Sequence, residues 1–263
     1  MSPNGQAASP LVEVASLSCP VAGVLLDYPA GEVIPPHRHD SAQLIYAVSG
    51  VMTVHTRAGD WVVPTQRAVW VPAFEEHSIR MTGSVAMRTV YVRAGEAAGL
   101  LAECSVVHAT DLLRELVLRI VEFSETFRAD SSEMRLVSVF FDEIRAAPQI
   151  PLHLPMPADP RLRRVTDALT RNPGDQRTLA EWSRVAGASQ RTLARLFAAE
   201  TRMTFGQWCQ QARLLSALEH LALGRSVTAT ALELGYDSPS AFIQMFRRAM
   251  GTTPGRYFRA VEP

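Results

Sequence analysis

Over the first third of the chain, short apolar runs are broken at regular intervals by turn-forming residues. Between Leu11 and Arg93, short β-branched and aromatic runs stand between Gly, Pro and Asp: LIYAVSG (44–50), VMTVHT (51–56), DWVVP (60–64), AVWVP (68–72) and MRTVYV (87–92). With turn signals such as SG at 49–50 and AGD at 58–60, this pattern predicts short strands in an all-β sandwich or barrel over residues 11–108. From Asp111 the spacing becomes that of a helix. DLLRELVLRIVEFSETF places Leu112, Leu113, Leu116, Val117, Ile120 and Phe123 on one stripe, and SEMRLVSVFFDEIRAA (132–147) follows until Pro148. This helical pair at 109–147 is expected to cover the barrel or to form the two-fold contact of a homodimer. PQIPLHLPMPADP (148–160) holds five prolines and predicts a semi-rigid linker, and residues 1–10 read as a disordered leader. The expected fold class is therefore α+β with two domains, the second all-α over 161–263.

That second domain carries one pattern twice. RTLAEWSRVAGASQRTLARLF (177–197) and VTATALELGYDSPSAFIQMF (227–246) each run from a short helix through a glycine, Gly187 or Gly235, and a Ser-containing turn into a second helix ending in Phe. Helix, tight glycine turn and helix is the arrangement of a helix-turn-helix unit. Leu193, Leu196 and Phe197 in one copy, and Phe242, Met245 and Phe246 in the other, recur at helical spacing and should face inward. That leaves Ser189, Gln190, Arg191 and Arg195, and Ser238, Ser240, Gln244, Arg247 and Arg248, as candidate DNA contacts. Arg and Gln carry paired hydrogen-bonding groups that fit guanine and adenine edges. Any amphipathic helix has polar outer residues, so one copy alone decides little, but two in tandem favour DNA reading. The spacer FGQWCQQARLLSALEHLAL (205–223) contains no proline and predicts a rigid helix roughly 28 Å long. Such a rod is consistent with presenting two readers to successive major grooves, about 34 Å apart. Before the first unit, PRLRRVTDALTRNPGD predicts an Arg-rich helix whose Arg161, Arg163 and Arg164 read best as a solvated face. Thr178 and Glu181 stand at capping-box spacing.

The tail GYDSPSAFIQMFRRAMGTTPGRYFR (235–259) resembles the AraC/XylS family of bacterial transcription regulators through Gly235, Tyr236, Ser238, Ser240, Phe242, Phe246, Gly251, Pro254, Tyr257 and Arg259. Gln244, where the family often carries Arg, and Phe258, between Tyr257 and Arg259, depart from the pattern and bear on base preference. The resemblance implies a double helix-turn-helix domain that binds double-stranded promoter DNA, with RNA polymerase as a further partner. The layout, including HRHDSAQLIYAVSG and RAVWVPA, is also similar to the subgroup that includes repressors of nitroimidazole-efflux transporters.

Charge changes the picture once the chain is divided. The whole chain is neutral, but residues 1–158 hold 11 Arg against 17 acids and residues 159–263 hold 15 Arg against 9 acids. Only the helical part has the basic character that a polyanion requires. All basic residues are Arg, in both parts, which reflects coding bias rather than DNA chemistry. Three scattered cysteines (Cys19, Cys104, Cys209) lack metal-ligand spacing and point to a reducing compartment. MSPNGQAASP lacks the basic start and apolar core of a signal peptide, and no apolar run approaches the ~20 residues of a membrane span. A cytoplasmic protein is expected.

One cluster remains in the β-rich part. His37 and His39, one residue apart, share a face if extended; Gln43 keeps that parity, and His77 follows far along the chain in PAFEEHSIR. Two histidines from one strand and a third from another can converge on a metal. The set resembles the cupin pattern, with Gly31, His37, His39, Gly50, Gly59, Pro64 and His77 at matching positions and Gln43 where a Glu ligand would stand. The resemblance implies a sensor barrel holding a divalent ion through His37, His39, Gln43 and His77. Imidazole donors favour zinc, nickel or iron over magnesium or calcium. Equally, these histidines could contact an organic effector or pack the core. His55 reads as an ordinary strand residue, His153 as incidental, Trp61, Trp70 and Phe74 as barrel packing, and Glu75 and Glu76 as a solvated loop. A metal-dependent cupin enzyme with a helical protein-binding tail is the competing reading, but no second constellation of acid, base and nucleophile stands near the histidines in sequence.

Overall fold

The computed structural model describes residues 19–123, 128 and 130–259. The expected leader at 1–10 and residues 124–127 of the first helical stretch lie outside the described residues. Among the described residues, nine strands form one sheet: β1 (Val21–Tyr28), β2 (Val33–His37), β3 (Ala42–Thr56), β4 (Gly59–Pro64), β5 (Arg67–Val71), β6 (His77–Val92), β7 (Ser105–His108), β8 (Gln149–Ile150) and β9 (His153–Pro155). The long β3 and β6 pair antiparallel along most of their length. β1 and β2 flank the two halves of β6, while β4 and β5 flank the two halves of β3. A single turn, α1 (Ala94–Ala97), lies between β6 and β7.

LIYAVSG and VMTVHT, expected as two strands, are one 15-residue strand. Ser49–Gly50 is an irregularity in the ladder rather than a turn, with register shifts on either side of Ser49. Gly50 has φ +78°, and a Cβ there would stand 2.4 Å from the Ser84 carbonyl oxygen of β6. Only glycine allows that approach. Both faces of the sheet are covered. In β5, Ala68 and Trp70 belong to one apolar cluster and Val69 and Val71 to the other; in β3, Leu44 and Tyr46 oppose Ile45 and Ala47 in the same way. Alternation therefore sorts side chains between two cores, which is why the strands are apolar nearly throughout.

Helices α2 (Asp111–Ile120) and α3 (Ser132–Ala146) cover one face, capped by Thr110 and Ser131. The buried residues of α2 are Leu113, Leu116, Val117 and Ile120, whereas Leu112, expected on the stripe, is 49% exposed. Helical pitch turns it about 100° away from Leu113. Trp70 is buried and donates to the Leu101 carbonyl, but Phe74, expected to pack the barrel, is 66% exposed on a loop residue with φ +65°.

The Pro-rich segment does not act as a free linker. β8 pairs with β7 and β9 pairs with β4, because residues between the prolines still offer ladder hydrogen bonds at a sheet edge. His153, expected to be incidental, stacks on Trp61 at 3.8 Å with an interplanar angle of 7°. Leu152 and Leu154 continue one apolar cluster from the sheet into the helical domain.

That domain comprises α4 (Pro160–Arg171), α5 (Leu179–Ala186), α6 (Gln190–Leu196), α7 (Phe205–Ala222), α8 (Val227–Glu233), α9 (Pro239–Met250) and α10 (Pro254–Arg259), with a π-helical turn at Phe197–Thr201. Thr178 and Glu181 close a capping box on α5, which ends on Gly187 in the left-handed region at φ 66°. The 18 residues of α7 make a rod of about 27 Å. Among the described residues, no helix is long and apolar enough to cross a membrane.

Candidate metal centre and DNA-reading helices

The three histidines come together at one mouth of the sheet. His37 ends β2, His77 opens β6 directly opposite it in register, and His39 lies on the loop that leads into β3. The HxH pair is thus split between a strand end and a loop rather than carried on one strand. One ligand atom from each of the three lies within 4.8 Å of those of the other two.

Each ring is held from behind. His37 Nδ1 lies 2.9 Å from the Pro35 carbonyl oxygen, His39 Nδ1 2.6 Å from that of Ser41, and His77 Nδ1 2.9 Å from that of Glu75. A carbonyl only accepts, so each Nδ1 carries a proton, which leaves Nε2 as the one nitrogen of each ring that can offer a lone pair. The Nε2 atoms of His37 and His77 are buried with no hydrogen-bond partner. His39 Nε2 lies 3.1 Å from Gln43 Oε1, and because both are acceptors when the ring is neutral, the contact calls for a proton or a cation between them. The Gln43 amide cannot turn over freely. Its Nε2 donates to Thr89 Oγ1 at 2.8 Å, and Thr89 itself donates to the Leu44 carbonyl at 3.1 Å. Gln43 therefore presents an oxygen toward the histidines. Burial holds the His77 imidazole down at about 4, helped by the neighbouring His37 and His39, and burial likewise lowers His39. Neutral rings are the form that binds a cation.

Orphaned buried lone pairs, backbone-anchored tautomers and an oxygen donor form a set that fits a transition metal. Thr89, the residue that orients Gln43, was not visible in the sequence. It sits in an ordinary strand run, and only β3–β6 pairing places it beside Gln43. Tyr91 packs edge-on against His39 at 5.1 Å.

The second set lies on α6 and α9. Leu193, Leu196 and Phe197, and Phe242, Met245 and Phe246, are buried. Gln190, Arg191 and Arg195, and Ser240, Gln244, Arg247 and Arg248, are exposed. Ser189 and Ser238 stand apart from the others. Their hydroxyls cap α6 and α9 by accepting from the Thr192 and Ala241 amides, so their first role is to start the reading helices.

Charge pairing separates the arginines further. Arg161 is held by Asp159 at 2.7 Å, Arg163 lies 3.9 Å from Asp167, and Arg164 donates to the Ala186 carbonyl at 3.4 Å. Among the described residues, Arg191, Arg195, Arg247 and Arg248 take part in no recorded ion pair. Unpaired guanidinium groups on two helices that follow glycine turns are available for phosphates or base edges.

Comparison with known proteins places both halves. Residues 20–149 match the model of the AraC-like ligand binding domain, and residues 182–260 match that of a helix-turn-helix domain. The chain is 38% identical over 223 residues to the HTH-type transcriptional regulator NimR of Escherichia coli K12, covering 85% of this chain and 81% of that one. It is 35% identical over 103 residues to the HTH-type transcriptional regulator RipA of Corynebacterium glutamicum, covering 39% of this chain and 31% of that one. The structure of ToxT from Vibrio cholerae aligns with a TM-score of 0.38 at 10% identity, over 91% of this chain and 98% of that one, a likeness too loose to add to the fold described above. Two domain matches in the order sensor then reader, and a relative matched over most of both lengths, establish that the chain belongs to the AraC family of helix-turn-helix transcription regulators.

Proposed function

We propose that this regulator senses a divalent transition metal in its β-rich domain and adjusts its grip on promoter DNA accordingly. The observation that carries the metal reading is the shared geometry of the three histidines, each Nδ1 bound to a carbonyl while His37 and His77 keep buried, unpartnered Nε2 atoms. His37, His39 and His77 would supply nitrogen and Gln43 a neutral oxygen, a set suited to zinc, nickel or iron. The metal would act as a ligand whose binding free energy differs between two arrangements of the domains. No catalytic role is assigned to it.

Gln190, Arg191 and Arg195 on α6, and Ser240, Gln244, Arg247 and Arg248 on α9, are the proposed contacts to two successive major grooves. Their exposure and unpaired charge support this. The protein is proposed to work in the cytoplasm as a homodimer, with α2 and α3 at the two-fold contact. Leu112 on α2 is 49% exposed and Val139 on α3 is 40% exposed, apolar surface that a second copy would cover.

Elemental analysis of untagged protein purified without chelator tests the metal. The wild type should carry about one equivalent per chain, and a His37→Ala/His77→Ala variant should be empty. Two empty samples that also show no calorimetric binding of Zn²⁺, Ni²⁺ or Fe²⁺ would remove the metal from the account.

A further inference from the structure

Among the described residues, the helical domain is fastened to the sheet at three polar points. Near the start of α7, Trp208 Nε1 donates to the Pro155 carbonyl at 2.9 Å and Gln211 donates to the His153 carbonyl at 3.2 Å. On α10, the Tyr257 hydroxyl donates to the Thr65 carbonyl at 2.9 Å. Near the end of α7, Glu219 Oε1 accepts from Thr53 Oγ1 of β3 at 2.6 Å and from Arg80 Nη2 of β6 at 2.7 Å. Thr53 and Arg80 are direct partners across the β3–β6 ladder, so one carboxylate oxygen grips both strands.

Three points fix the orientation of one body on another, whereas two leave a rotation about the line joining them. The apolar contact beneath does not replace the third point. It is non-directional, and beside Glu219 it is interrupted by a cavity of about 110 Å³ lined by Thr53, Asp60, Arg80, Leu215 and Ser216. Of the three fastenings, only the one at Glu219 is an ion pair, and only it reaches β6, the strand that His77 opens. Arg80 lies three residues along from His77, about 10 Å of extended chain.

We propose that Glu219 is the positioning residue that sets the direction of α7 on the sheet domain, and that β6 carries the state of the histidine cluster to it. α7 is the rod between the two readers, so its direction sets how both helix-turn-helix units are presented. The second half of this inference rests on the metal reading given above; the first half does not.

Spin labels test the first half in the full-length chain. The native cysteines, Cys19, Cys104 and Cys209, are buried, so nitroxides can be placed through Arg57→Cys in the β3–β4 turn and Ala249→Cys on α9, both exposed. Wild-type background should give one narrow distance distribution. Glu219→Ala, which removes the contacts to both Thr53 and Arg80, should broaden it most; Arg80→Gln should broaden it less, and the double variant should be no broader than Glu219→Ala alone. Affinity for a duplex selected from random sequence by the wild-type chain should fall about tenfold in each variant. Ala is a good helix former at this α7 position, and a circular dichroism spectrum and cooperative melt check that the variant folds. Unchanged distance widths would overturn the assignment. A fall in affinity at unchanged width would also overturn it, since Glu219 would then be a stabilising contact only.

The second half is read with Zn²⁺ as the probe. Zn²⁺ should change the affinity of the wild type for the selected duplex, and Glu219→Ala should abolish that change while still binding Zn²⁺ by calorimetry. Equal responses in both proteins would exclude β6 and Glu219 as the relay. A wild type that binds no Zn²⁺ would overturn the relay along with the metal reading and leave the distance result on α7 standing by itself.

Discussion

Acidifying the metal-free protein perturbs the histidine cluster in a calculable way. His77 is 1% exposed, and burial, with His37 and His39 nearby, holds its imidazole at about 4, against an ordinary value of 6.5. Between those values the unfolded chain holds a proton at His77 that the folded chain does not. Stability attached to this group is therefore complete above pH 6.5 and is lost as pH falls toward 4. A shift of that size corresponds to roughly 3 kcal/mol. His39, also lowered by burial, acts in the same direction. The measurement is urea unfolding in the presence of chelator, followed by tryptophan fluorescence at pH 7, 5.5 and 4, for wild type and His77→Gln. Glutamine is neutral throughout and can still donate to the Glu75 carbonyl. Carboxylates titrate in both proteins, so the difference between the two curves isolates His77. The variant should lose roughly 3 kcal/mol less than the wild type on going from pH 7 to 4. Identical acid sensitivity would mean that His77 is not held neutral by its surroundings, and the tautomer argument for the metal centre would fall with it.

Further outcomes follow from the other elements. Arg195→Ala and Arg247→Ala should each weaken binding to a cognate duplex by about 1–3 kcal/mol, and the salt titration should show a smaller slope for whichever arginine contacts phosphate. Unchanged affinity in both would contradict the reading helices. Ser238→Ala should cost about 1 kcal/mol of stability through loss of the α9 cap while preserving base preference in a selection experiment. Gly50→Ala should destabilise the sheet domain by more than about 2 kcal/mol, because it combines a positive φ with a clash against Ser84. A melting temperature equal to wild type would show that β6 can move aside there.

Much of the exposed polar face of α9 was legible because local spacing decides it. A period of 3.6 assigns Phe242, Met245 and Phe246 to one side of α9 and Gln244 and Arg247 to the other, whatever lies nearby. What spacing could not provide was which arginines are already neutralised, since that depends on the side-chain conformations that bring the capping Asp159 to Arg161 and Asp167 back to Arg163. The histidines were individually conspicuous, but the parity argument that joined His37 to His39 assumed one strand through both, whereas β2 ends at His37.

The sequence by itself determined the helix-turn-helix pairs and the α7 rod, because each depends on residues within a few turns of one another. Tertiary structure alone decided that Ser49–Gly50 bends one strand instead of dividing two, that the proline-rich segment joins the sheet, that Thr89 orients Gln43, and that Glu219 meets Thr53 and Arg80. Those contacts link positions 46 to 166 residues apart in hydrogen bonds such as Gln43–Thr89 and Thr53–Glu219. A hydrogen bond between such distant positions leaves no periodic trace in the chain, because it is set by which strands and helices pack together and in what register.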